Sequence, residues 1–68
     1  TALRDGLNRF LRQLPQEKRR VFIRRYWYLD SVSQIAGQYG ISESKVKSML
    51  MRTREQLREF LKKEGFFV

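Results

Sequence analysis

The stretch that decides the fold runs from Val32 to Met49 and reads VSQIAGQYGISESKVKSM. Its apolar residues recur at three and four, with no strand-like alternation, so it reads as helix. The pattern breaks once, at Gly40-Ile41-Ser42. Two helices that cross steeply over a turn of three to four residues make specific demands. A small residue must stand where they touch, and Ala36 does. A glycine must take the turn conformation four residues later, and Gly40 does. Apolar residues must hold the angle on both sides, and Ile35, Tyr39, Ile41, Val46 and Met49 are so placed. Ser31 and Ser42 are of the residue type that caps helix starts. The spacing predicts a short helix over 32–39 and a long one of about twenty residues after Ser42.

Downstream, Val46, Met49, Leu50, Thr53, Leu57, Phe60 and Leu61 fall within about 120° of arc on that last helix. Gly65 ends it, and Phe66, Phe67 and Val68 follow as an apolar tail, either terminal packing or a docking knob. Upstream, Leu3, Leu7, Phe10, Leu11 and Leu14 predict a helix over roughly 2–13. Gly6 is a blemish in it, costing about 1 kcal/mol against Ala. Pro15 ends this helix and suits the first turn of the next, where no N–H is needed. The second helix is expected to reach about Tyr28, with Val21, Phe22 and Tyr26 inward and Leu29 closing it. Tyr26, Trp27 and Tyr28 read as core with polar tips toward water; stacking on single-stranded bases is the alternative. The fold class is therefore all-α: four helices, with a C-terminal helix-turn-helix and a long recognition helix. Residues 1–29 form a two-helix support and 31–64 the helix-turn-helix.

The chain has 68 residues, a formal charge of +8, and neither cysteine nor histidine. A chain this size buries about 60% of its unfolded surface, enough for one small core. Missing Cys and His remove disulfides, thiolate nucleophiles, the commonest general base and the usual zinc ligands. No metal, cofactor or enzymatic chemistry is expected. Apolar residues at 41% are too many for a disordered basic tail. The longest apolar run, Val21 to Ile23, is too short to span a membrane. Lys+Arg at 15 against Asp+Glu at 7 point to a polyanion, with nucleic acid first. The charge divides as +2 over 1–14, +3 over 15–30, 0 over 31–41 and +3 over 42–68. The chain starts at Thr1, so it is expected to be a piece of something longer.

In a helix-turn-helix, the second helix enters the major groove by its N-terminal residues. Ser44, Lys47, Ser48 and Met51 lie opposite or beside the core arc and are the candidates for base contact. Lys47 suits guanine O6 and N7, the serines suit either role, and Met51 suits a thymine methyl. Glu43 either accepts from cytosine N4 or favours the helix dipole. Lys45 and Arg52 flank this face as phosphate contacts. The third helix would offer its N-terminal N–H groups to a phosphate, helped by Ser31, Ser33 and Gln34. Arg24 and Arg25 are expected to approach the same strand.

These residues resemble the C-terminal promoter-recognition domain, region four, of bacterial RNA polymerase sigma factors, and most closely the extracytoplasmic-function type. The resemblance rests on LRQLPQEKRRVFIRRYW at 11–27 and DSVSQIAGQYGISESKVKSMLMRTREQLREFL at 30–61. It implies reading of the minus-thirty-five promoter element as double-stranded DNA, in the bacterial cytoplasm, by a domain attached to RNA polymerase. It also implies an apolar groove for the polymerase β-subunit flap, which would involve Leu7, Leu11, Val21 and Phe22. Many members carry Arg near Glu43, so the preferred base sequence stays open. An anti-sigma factor is a further implied partner, and the isolated domain is expected to be monomeric. Two alternatives stand beside this reading: a stand-alone helix-turn-helix regulator, which would dimerise on a palindrome, and a module that docks only to polymerase or an anti-sigma factor.

Overall fold

The computed structural model describes residues 1–66, so the expectations for Phe67 and Val68 lie outside the described residues. Four helices follow one another: α1 (Ala2–Gln13), α2 (Gln16–Tyr26), α3 (Val32–Tyr39) and α4 (Glu43–Lys63). No strand occurs among the described residues. The α3–α4 corner forms as its residue types demand. Gly40 takes a left-handed conformation (φ 65°), and its N–H donates to the Ala36 carbonyl, as does the Ile41 N–H at 3.1 Å. These bonds satisfy carbonyls that the end of α3 would otherwise leave unpaired. Ser42 opens α4 by accepting from the Lys45 N–H at 3.1 Å.

The core sits where α4 packs against all three other helices and α2 packs on α3. Ile35 and Val46, one from each side of the corner, are fully buried. Ala36, Val21, Phe22, Phe10, Leu11, Leu14 and Leu50 close around them. The α4 arc holds as expected: Val46, Leu50, Thr53 and Leu61 are buried, while Met49, Leu57 and Phe60 are half-buried. The Phe10 and Phe60 rings meet at 5.6 Å between centroids and join α1 to the distal half of α4.

Three expectations change. Pro15 stands one position earlier than the first helical residue and caps α2 without a side-chain bond. Gly6 is buried, and Phe66 lies across it, with a ring carbon 3.4 Å from where a Cβ would sit, about ordinary contact, so the helix-propensity cost of a glycine there stands. Phe66 reaches that place because Gly65 is left-handed (φ 88°) and the Phe66 N–H donates to the Leu61 carbonyl at 2.8 Å. Arg9 and Glu64 form an ion pair beside this contact. Leu3, counted on the apolar face of α1, is 52% exposed, because it lies a turn beyond the last packing contact of that helix. The largest change concerns the end of α2. That helix stops at Tyr26, and the chain turns through Leu29 in a left-handed conformation (φ 58°). Leu29 therefore faces water instead of closing the helix, and Trp27 and Tyr28 are more than half exposed. Tyr26 is 41% exposed, with one side of its ring 4.7 Å from that of Phe22. These aromatics are not core.

Gly37 lies inside α3, exposed and with nothing within 4 Å of the place a Cβ would take. Gly37→Ala is expected to stabilise the domain by about 1 kcal/mol, through helix propensity alone. Gly40→Ala is expected to destabilise it by about 1 kcal/mol, because a Cβ strains the left-handed turn. Thermal unfolding of the two variants should therefore bracket the parent by about 4–8 °C on either side.

Candidate nucleic-acid interface

The first turns of α4 place their side chains by helical period alone. Val46 and Leu50 turn inward, so Glu43, Ser44, Lys45, Lys47, Ser48, Met51 and Arg52 all stand exposed. Met51 is 49% exposed, a large apolar side chain left on an otherwise polar face. Lys45 is 3.7 Å from Glu17 in an exposed pair, weak enough for another anion to replace it. Glu43 lies in the first turn of α4, where a carboxylate is favoured by the helix dipole.

The start of α3 is more tightly built. Ser31 Oγ accepts from the Gln34 N–H at 3.0 Å, and Gln34 Oε1 accepts from the Ser31 N–H at 2.8 Å, a complete capping box. Ser31, Ser33 and Gln34 are all exposed. The Gln34 oxygen is used in the cap, which leaves its amide NH2 as the group able to donate outward. No charged residue occurs from 31 to 41, so α3 carries no side-chain charge of its own.

Arg24 and Arg25 are both engaged by Asp30, which the sequence reading did not single out. Arg24 Nε donates to Asp30 Oδ2 at 2.7 Å, and the Arg24 guanidinium lies 4.3 Å from the centre of the Tyr28 ring. Arg25 Nη1 donates to the Asp30 carbonyl at 3.2 Å, which leaves the rest of its fork outward. Across the molecule, Arg54 donates to the Tyr26 hydroxyl at 2.7 Å, tying the end of α2 to α4.

A separate apolar groove lies between α1 and α2. Asn8, Leu11, Ile23, Trp27 and Tyr28 line a cavity of about 470 Å³. Of the four residues expected to form such a groove, only Leu11 lines it. Val21 and Phe22 are buried in the chain's own core and offer a partner almost no surface, and Leu7 is half-buried against that core. Ile23 and Trp27 were legible in principle. Ile23 lies on the face of α2 that Val21 and Phe22 do not use, and Trp27, four residues on, caps the end of that helix. Among the described residues no helix is long and apolar enough to cross a membrane.

A short capped helix, a glycine turn and a long helix with an exposed polar N-terminal face together define a helix-turn-helix DNA-binding domain. The chain belongs to the sigma-70 region 4 family, whose model matches residues 4–57, and so is a sigma-factor domain of the kind that serves transcription initiation. No curated protein matches it.

The capping box gives the site a stability test. Ser31→Ala removes the side-chain acceptor for the Gln34 N–H and is expected to cost about 1 kcal/mol. Chemical denaturation should report it as a lower midpoint with an unchanged slope.

Proposed function

We propose that this domain binds double-stranded DNA sequence-specifically at the minus-thirty-five promoter element, as part of a sigma factor of the extracytoplasmic-function type acting in the bacterial cytoplasm. The single observation that carries this reading is the exposed polar face of the first turns of α4, backed by a fully buried Val46. In this reading Glu43, Ser44, Lys47, Ser48 and Met51 meet base edges in the major groove. Ser31, Ser33 and Gln34 bind phosphate at the start of α3, and Arg25, Lys45 and Arg52 bind it on either side. The mechanism is positioning: phosphate contacts supply affinity that falls with salt, and base contacts supply preference. One such domain binds weakly alone, and RNA polymerase raises its effective concentration at the promoter.

The groove of Leu11, Ile23, Trp27 and Tyr28 supports a second contact, with the polymerase β-subunit flap or an anti-sigma factor in its place. A docking-only module is the alternative, and the exposed Trp27 favours it to that extent. A stand-alone dimeric regulator has less support. Phe66, the described part of the apolar tail that would be left for a second copy, already packs on Gly6.

Lys47→Ala is expected to cost about 1–3 kcal/mol in DNA binding and to relax preference at one base position. Equal loss on all sequences would make Lys47 a phosphate contact instead. Trp27→Ala is expected to weaken polymerase binding by about 2 kcal/mol or more while leaving DNA affinity unchanged. Loss of both together would contradict separate docking and reading surfaces. Binding assays with core polymerase and with duplexes varied one base at a time give both readouts.

A further inference from the structure

We infer that Asp30 is a positioning residue for DNA binding: it withdraws Arg24 from phosphate and uses it to fix the entry of α3. The inference rests on the DNA-binding reading and deepens it.

The connection from α2 to α3 has no glycine, and its one left-handed residue is Leu29, three-quarters exposed. A non-glycine residue there is strained and persists only when its surroundings impose it. Asp30 supplies the constraint with three separate groups. Its N–H donates to the Arg24 carbonyl at 3.0 Å, its carbonyl accepts from Arg25 Nη1 at 3.2 Å, and its carboxylate accepts from Arg24 Nε at 2.7 Å. The Tyr28 ring covers the Arg24 guanidinium. The Asp30 side chain is 18% exposed and that of Arg24 32%, so this pair is better shielded from water and salt than the exposed pairs on the molecule. The next residue is Ser31, the cap of α3. The first turn of α3 thus hangs from the last turn of α2 through Asp30.

Two opposite signs follow for one substitution. Asp30→Ala removes an acid from a domain of net charge +8, and electrostatics alone then tightens binding to DNA. Positioning predicts the reverse, because the start of α3 loses its fixed direction. The experiment measures binding of the 68-residue chain to a short duplex from about 50 to 200 mM salt, at a temperature where circular dichroism finds each variant folded. Asp30→Ala is expected to weaken binding about three- to tenfold at every salt concentration. Asp30→Asn keeps an oxygen for Arg24 Nε and is expected to bind at least as tightly as the parent. Arg24→Ala is expected to weaken binding with the salt dependence unchanged.

Asp30→Ala binding as tightly as the parent, or more tightly, overturns the inference. So does a drop of about 0.9 in the salt slope of Arg24→Ala, which would mark Arg24 as a phosphate contact. If Asp30→Ala does not fold, the other two variants decide the matter. A parent chain whose affinity does not depend on salt overturns the DNA-binding reading itself, and this inference with it.

Discussion

Everything in this domain depends on the angle at which α3 crosses α4. Ile35 and Val46 meet there with no surface left to water, and Ala36 is small enough to let the helices approach. Gly40 takes the backbone conformation that a side chain would strain. The angle matters because α4 does two things along one rigid rod. Its first turns present the polar face, and its middle and end carry Leu50, Thr53, Phe60 and Leu61 into the core with α1 and α2. A tilt at the corner moves the polar face relative to the N-terminus of α3. In the proposed function, that is the distance between a base contact and a phosphate contact.

The charge of +8 acquires a shape from this geometry. The neutral α3 lies between basic residues of α2 and basic residues of α4, and its own contribution is the row of N–H groups at its start. Not every cation of the molecule is free of an internal partner. Arg24 is paired and covered, Arg54 donates to Tyr26, and Arg9 holds Glu64. Internal engagement of this kind reduces the number of side chains that meet a polyanion below what the composition suggests.

The helix-turn-helix was legible in the sequence because its requirements are local and strict. The cap at Ser31, the turn at Gly40, the cap at Ser42 and the inward positions of α4 all follow from residue type and period. The end of α2 was not legible for the opposite reason. Tyr26, Trp27 and Tyr28 look like core by composition, yet the helix stops at Tyr26 and Leu29 reverses the chain. What imposes that reversal is Asp30, whose partners Arg24 and Arg25 read as ordinary surface cations until the fold brings the carboxylate back to them. The position of the open apolar groove was not legible for a related reason. Val21 and Phe22 are needed by the core, so the neighbouring face of α2 at Ile23, together with Trp27 at the helix end, is the one left open. Phe66 on Gly6 is a contact between the two ends of the described chain, and no local pattern announces it.

The central claim is that the first turns of α4 read a base sequence. Selection of bound duplexes from a random pool, with the domain held by the polymerase flap, tests it most directly. The account predicts enrichment of one short site without internal symmetry, as fits a single recognition helix. A featureless pool would contradict base reading, and a palindromic site would point to a dimeric regulator instead.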